Sequence, residues 1–557
     1  MSLILALTAI SLSTAANALP AQPGIDWQPC LELNRNISAL VGVEGTPFDC
    51  AKLSVPLDYT NPESEPLDLD LFRVNATEEP VLGTVLINFG GPGGTAAENL
   101  PILAAELAAN IGEQWNLLSW DPRGTGKTIP FDCRIEDPRT TISTRKRDND
   151  VLVSGNLTER FLNGGWDTAG VIADACYTAM NGTGSYIGTA FVARDMMEIV
   201  DALGEDGLLR YFGWSYGTAL GSYVAAMFPE RIERVVLDAN VNPHDYQIGH
   251  YGEAFVDADK ALLAFLEECL KNKDECALAQ YTNANETADL LNPINQLLTP
   301  VASNASTSTE AWSSFTGIQG IILQQLYYPF NWPTLAETIT NVLNGTDTQT
   351  AGAAPEPMVE PYNLGDPWAT VGIRASDALW RTNSAQEYLP QVEYQNTVSS
   401  FNFPYESLWT SARWKMDAKE RYTGDFRVKT KHPILYVNGE YDPTTPLASA
   451  YNGSASFEGS VVLPHSGYGH GVLVSPSECL ARHIQAYFKD GMLPERGTRC
   501  EPDLGPWEQA RARAEGTTGG SGGNTTAEAV TSSGSREIIS RVLPFAGALA
   551  AAGMSVL

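Results

Sequence analysis

Leu208-Leu209-Arg210-Tyr211-Phe212-Gly213-Trp214-Ser215-Tyr216-Gly217-Thr218-Ala219-Leu220-Gly221-Ser222-Tyr223-Val224-Ala225-Ala226 reads as an apolar strand, a Gly-x-Ser-x-Gly turn and a helix of small residues. The glycines allow a sharp turn in which Ser215 is held in a strained conformation with its hydroxyl above a sheet edge. That context, strand before and helix after, is what a nucleophile elbow requires; the five-residue pattern alone is weak.

Working outward, apolar β-rich runs alternate with helical ones: 83–89, a helix-like 95–110, 115–120, a helix-like 190–203, then 208–212. Such alternation predicts a parallel sheet with crossover helices. Further strands are expected at Val235-Val236-Leu237-Asp238 and Pro433-Ile434-Leu435-Tyr436-Val437. The long stretch between them holds amphipathic runs and aromatics such as Trp312, Tyr327, Trp332, Trp380 and Trp409, which suits a mainly helical cap inserted over a cleft. The expected organisation is residues 1–18 as a signal peptide, 19–244 and 431–510 as two parts of one α/β core, and 245–430 as the cap. Residues 511–541 form a low-complexity linker and 542–557 an apolar tail with the layout of a GPI-attachment signal.

A serine nucleophile needs a base and an orienting carboxylate, in the chain order serine, acid, histidine for this architecture. His470, in Gly467-Tyr468-Gly469-His470-Gly471, occupies a flexible loop before a helix; His465 is the fallback, and His483 sits within the helix. Asp442, in Gly439-Glu440-Tyr441-Asp442-Pro443-Thr444-Thr445-Pro446, follows a buried strand and gains rigidity from its prolines; Glu440 is the competitor. Two oxyanion donors are expected, the Tyr216 N–H and one from Gly90-Gly91-Pro92-Gly93-Gly94, for which Gly91 is the choice. The latter run also scores as a dinucleotide-binding pattern with Asp121 as ribose ligand, but Pro92 stiffens the turn and removes an N–H. Gly124-Thr125-Gly126-Lys127-Thr128 is no phosphate loop, since Asp121 stands where its first glycine belongs.

Composition limits the partners. With 35 Lys+Arg against 66 Asp+Glu the formal charge is −31, which excludes a phosphate-binding basic face and hence nucleic acid. Eight cysteines, at 30, 50, 133, 176, 269, 276, 479 and 500, contain no Cys-x-x-Cys, so disulfides are expected rather than a metal. The pairing of sequence neighbours, 30–50, 133–176, 269–276 and 479–500, is the simplest of 105 connectivities. Sequons at Asn36, Asn75, Asn156, Asn181, Asn285, Asn304, Asn344, Asn452 and Asn524 agree with a glycosylated, secreted protein.

Five ordered motifs, Asn88-Phe89-Gly90-Gly91-Pro92-Gly93-Gly94, Trp120-Asp121-Pro122-Arg123-Gly124-Thr125-Gly126, Gly213-Trp214-Ser215-Tyr216-Gly217-Thr218, the Asp442 loop and Gly469-His470-Gly471, resemble the tripeptidyl aminopeptidase-like branch of the α/β-hydrolases, relatives of the proline iminopeptidases. The likeness spans residues 28–505. It implies an α/β-hydrolase fold with a cap, the triad Ser215, Asp442 and His470, and release of short peptides from free N-termini without metal or organic cofactor. Two departures stand out. Proline iminopeptidases carry His where this chain has Phe89. The family often shows a cysteine in Ile-x-Cys-x-Asp and another in Cys-x-x-Trp, whereas Ile373-Arg374-Ala375-Ser376-Asp377 and Ser411-Ala412-Arg413-Trp414 lack both, which reads as one missing cap disulfide. The expected function is therefore a secreted serine exopeptidase, anchored at the cell surface by the tail, that uses cap carboxylates to hold a substrate α-ammonium. The alternative is an esterase, lactonase or amide hydrolase acting on a small metabolite, since the same centre serves any acyl transfer.

Overall fold

The structure is a computed structural model that describes residues 24–33, 35, 46–133, 156–298, 309–346 and 367–518. The expected signal peptide, most of the linker and the apolar tail lie outside the described residues.

Among the described residues nine strands form one sheet: β1 (Gln28–Pro29), β2 (Asp49–Pro56), β3 (Pro66–Val74), β4 (Gly83–Asn88), β5 (Trp115–Trp120), β6 (Leu209–Trp214), β7 (Ile232–Asp238), β8 (Leu435–Tyr441) and β9 (Val461–Tyr468). Their spatial order is β1-β2-β3-β5-β4-β6-β7-β8-β9. The first pairs, through β3 with β5, are antiparallel, and every pair from β5 to β9 is parallel. The parallel part is the sheet that the alternating pattern predicts, and the whole is the α/β-hydrolase fold that the resemblance implies.

The central strands read as continuous apolar runs because both faces are covered. Alternate residues feed different cores: Leu86, Tyr211, Val235, Leu237 and Tyr436 enter one, and Val85, Ile87, Phe212, Val236, Leu435 and Val437 the other. Helices Ala96–Ile111 and Glu478–Asp490 cover the second face; Thr189–Ala202 and Tyr216–Met227 cover the first. Between β7 and β8 runs a series of helices, from Pro243–Ile248 to Glu406–Ala412, whose apolar residues join the first core without a break. The insertion is thus packed onto the sheet's helical layer, not merely tethered to it.

Four disulfides join Cys30 to Cys50, Cys133 to Cys176, Cys269 to Cys276 and Cys479 to Cys500, the neighbour pairing read from the sequence. The pair Cys479 and Cys500 lies near His483, but sulfurs bound to each other offer no thiolate to a metal. Asn75, Asn156, Asn181, Asn285, Asn344 and Asn452 are exposed. One boundary differs from expectation: the segment placed in a linker from residue 511 begins as a helix, Pro506–Thr518. Trp507, 2% exposed, stacks on Phe265, and Arg511 pairs with Glu275, so the helix gains its order from contacts with the insertion.

Candidate active site

β6 ends at Trp214 and the next helix begins at Tyr216, which leaves Ser215 alone to make the turn, at φ 58° and ψ −122°. A non-glycine residue in that region is strained, and the surroundings hold it there. The Ser215 N–H donates to Asp238 O at 3.0 Å, and Ser215 O accepts from Thr218 N at 2.8 Å. Small neighbours are a steric need: a Cβ on Gly217 would stand 2.8 Å from Asn88 O, and one on Gly90 2.8 Å from Ser215 Cβ. Ser215 is 7% exposed at the edge of a pocket.

The loop after β8 brings Asp442 to His470, which follows β9. His470 Nδ1 lies 2.9 Å from Asp442 Oδ2 and 3.1 Å from Oδ1, and both residues are buried. Asp442 Oδ1 also accepts from Thr444 N and Thr445 N, at 2.9 and 2.8 Å, and Oδ2 from Thr445 Oγ1 at 2.8 Å. Four donors around one carboxylate fix its aim. The other ring nitrogen, His470 Nε2, is buried without a hydrogen-bond partner, and the structure contains no Ser215–His470 hydrogen bond. Tyr327 and Trp214 pack on the imidazole, with ring centroids 4.8 and 5.7 Å away.

The competing residues are occupied elsewhere. Glu440 forms an ion pair with Arg499. His465 is 1% exposed within β9, and burial pushes its imidazole down to about 4, a neutral packing residue. His483 lies on helix Glu478–Asp490.

On the oxyanion side, the Gly90 N–H donates to Asn88 Oδ1 at 3.1 Å and the Gly94 N–H to Gly90 O at 3.2 Å, which leaves the N–H groups of Gly91 and Gly93 as the loop's candidates. Tyr216 opens helix Tyr216–Met227, where N–H groups lack intrahelical acceptors and the helix dipole favours negative charge. The motif around Asp121 supports this loop from behind. Asp121 Oδ1 accepts the Ala96 N–H at 2.8 Å, and Arg123, fully buried, pairs with Asp195 at 2.7 Å.

The pocket beside Ser215 is lined by residues that no motif announces: Tyr246, Tyr251, Phe255, Tyr405, and the carboxylates Asp245 and Glu253. Asp245 Oδ2 accepts Glu253 N at 2.9 Å; the Glu253 carboxylate accepts from Asn242 Nδ2, Ser449 Oγ and Asn452 Nδ2 at 2.9, 2.8 and 2.6 Å. Burial, and then the neighbouring Glu253 charge, raise the Asp245 carboxyl above its ordinary range. The two stretches without the family's cysteines meet through a hydrogen bond instead, Trp414 Nε1 to Ser376 Oγ at 3.2 Å.

Residues 402–500 match the family described as TAP-like protein. The serine protease Hip1 of Mycobacterium tuberculosis is 27% identical over 502 residues, covering 86% of this chain and 91% of that protein. The tripeptidyl aminopeptidase of Streptomyces coelicolor is 26% identical over 513 residues, 88% of each chain. Carboxylesterase B of Mycobacterium tuberculosis is 24% identical over 513 residues, 86% of this chain and 90% of that one. The family match falls on the stretch that carries Asp442 and His470, and the longer likenesses take in most of the sheet and its insertion: the chain is similar to the tripeptidyl aminopeptidase-like branch of the α/β-hydrolases and is a serine hydrolase.

Proposed function

We propose that this enzyme is an exopeptidase that releases short peptides from free N-termini by an acyl-enzyme mechanism. The observation that carries the reading is the pair Asp245 and Glu253 in the pocket that Ser215 borders. Two carboxylates lining one pocket, with the Glu253 charge acting on buried Asp245, form a site for a cation, and a peptide's α-ammonium is a cation at a fixed place relative to the scissile bond. Binding there would offset the cost of burying Asp245 and set which carbonyl meets the serine.

In this mechanism Ser215 Oγ attacks that carbonyl while its proton passes to His470 Nε2. Asp442, hydrogen-bonded to Nδ1, holds the ring in the tautomer whose Nε2 is free and stabilises the imidazolium. The tetrahedral oxyanion is met by the N–H groups of Gly91 and Tyr216. His470 returns the proton to the leaving amine, and water repeats the sequence on the acyl-enzyme. The four disulfides and exposed sequons support action outside the cytosol.

A second reading, hydrolysis of an ester, lactone or amide of a small metabolite, draws on the aromatic lining of the pocket, Tyr246, Tyr251, Phe255, Tyr327 and Tyr405. One assay separates them: an N-terminally free tripeptide amide, its N-acetyl twin and a short acyl ester, with Ser215→Ala as control. Cleavage of the free tripeptide in preference to its acetylated twin, lost in the variant and weakened by Glu253→Gln, is the expected result. Ester turnover with both peptides untouched would replace the reading by the second one.

A further inference from the structure

A loop made of Gly90-Gly91-Pro92-Gly93-Gly94 has little stiffness of its own, yet an oxyanion hole works only if its donors are aimed before the charge develops. The insertion supplies the missing constraint. From helix Pro367–Asp377, Arg374 Nη2 donates to Gly91 O at 2.9 Å and Thr370 Oγ1 donates to Pro92 O at 2.6 Å. Four residues apart, the two side chains leave the same face of the helix and hold two consecutive carbonyls.

The end of the same helix reaches the other donor. Asp377 Oδ1 accepts the Thr189 N–H at 2.8 Å, and Oδ2 accepts from Thr189 Oγ1 and from Tyr246 OH, at 2.5 and 2.7 Å. Thr189 Oγ1 lies 2.7 Å from Tyr216 OH, and Tyr216 is the residue after Ser215. Thr189, Asp377 and Tyr216 are all buried, so these bonds form where water cannot compete. The guanidinium of Arg374 lines the pocket with Ser215 and lies 5.0 Å over the Tyr251 ring; its Nε is buried with no partner.

We infer that Arg374, Thr370 and Asp377 are positioning residues for the oxyanion hole. The insertion helix aims the Gly91 N–H through the carbonyls beside it and the Tyr216 N–H through its side chain, and the guanidinium adds positive potential where the oxyanion forms. The inference rests on Ser215, Gly91 and Tyr216 being the acyl-transfer centre, and it is indifferent to whether the substrate is a peptide or an ester. It gives the insertion a part in the chemical step as well as in binding.

The test compares Arg374→Gln, Arg374→Lys and Thr370→Val with the parent enzyme, in the full chain. The readouts are kcat and KM for the free tripeptide amide and the acyl ester, the affinity of a trifluoromethyl ketone that forms a tetrahedral adduct, and Tm. Arg374→Gln and Thr370→Val are each expected to lower kcat roughly 10- to 100-fold on every substrate the enzyme turns over, with KM within about 3-fold. Adduct affinity should fall by a similar factor, and Arg374→Lys should recover part of the loss. A rise in KM with kcat and adduct affinity retained would make Arg374 a substrate contact only and overturn the inference. So would parent-like kcat and adduct affinity in both variants. If Arg374→Gln does not fold, Thr370→Val, which removes one hydroxyl from the same clamp, decides by the same outcomes. Full activity in Ser215→Ala would instead remove the acyl-transfer centre itself, a failure separate from the other two.

Discussion

Tyr327, just past the end of an insertion helix, gives its backbone carbonyl to the His470 N–H at 3.0 Å and lays its ring 4.8 Å from the imidazole. Its hydroxyl accepts from Thr444 Oγ1, beside Asp442. The insertion thus holds the histidine loop as well as the glycine loop. Tyr327→Phe keeps the ring and the carbonyl, and is expected to change kcat/KM by less than about 3-fold. Tyr327→Ala opens space beside the imidazole, and a catalytic group misplaced by an ångström loses on the order of 100-fold. A drop of about 10- to 100-fold, mainly in kcat, is the expected result; an alanine variant with parent kcat would show that the ring is packing alone.

Asp442 and Glu440 stand two residues apart and predict opposite outcomes. Asp442→Asn preserves shape but presents an amide to His470 Nδ1, which selects the wrong tautomer and should lower kcat about 10⁴-fold. Glu440→Gln loses only the ion pair with Arg499, at the surface, so activity is expected within about 2-fold of the parent. His465→Gln should lower Tm with kcat retained, because that ring is buried within β9. Equal losses of kcat from the two acidic substitutions would return the assignment to an open choice.

Stability should be greater in mild acid than at neutral pH. Burial pushes Glu98, Glu106, Asp121 and Asp238 up to about 7, and Asp377 up to about 6, against about 4 in the unfolded chain. Between those values the native state holds protons that the unfolded state does not, so stability falls as pH rises, until it levels off above about 7. His465, pushed down to about 4, and His250 and His483, also lowered by burial, act in the opposite direction below about 6.5, as three groups against five. A Tm several degrees higher at pH 5 than at pH 7.5 is expected, with Glu98→Gln reducing the difference. A Tm that is flat or rises toward pH 7.5 would contradict the argument.

The elements that could be read from the sequence are those whose cause is local. The strand, the Gly-x-Ser-x-Gly turn and the helix around Ser215 announce themselves in nineteen consecutive residues, and Asp442 and His470 each sit in a short loop that opens directly after a strand. The cysteine pairs close short loops. Asp245 and Glu253 could not be picked from 66 acidic residues, because what makes them a pair is the path of the insertion back over the sheet. The hold of Arg374 and Thr370 on carbonyls some 280 positions earlier has no signature at all, since the acceptors are backbone atoms. The helix Pro506–Thr518 was hidden by the Gly-rich sequence that follows it, though Trp507 is a signal of burial.

Asp238, at the end of β7, offers a last comparison with Asp442. Its carbonyl accepts the Ser215 N–H and its Oδ2 accepts the Val472 N–H at 2.9 Å, so one residue ties the elbow to the loop after His470. Burial keeps the carboxyl protonated up to about 7, while the nearby His470 favours its ionised form. Below pH 7 it is therefore a neutral hydrogen-bond acceptor, and above it an added negative charge near an imidazole that, as the proposed general base, would become positive during the reaction. Asp238→Asn keeps the acceptor and abolishes the charge. It should leave kcat near the parent value at pH 5.5 and lower it several-fold at pH 8.5, whereas Asp442→Asn should be inactive at both. Asp238→Ala strands the buried Val472 N–H and is expected to cost about 1–3 kcal/mol of stability. A pH-independent loss in Asp238→Asn would assign the residue a purely structural role; a loss confined to alkaline pH, read as the ratio of variant to parent kcat, would show that its charge reaches the histidine.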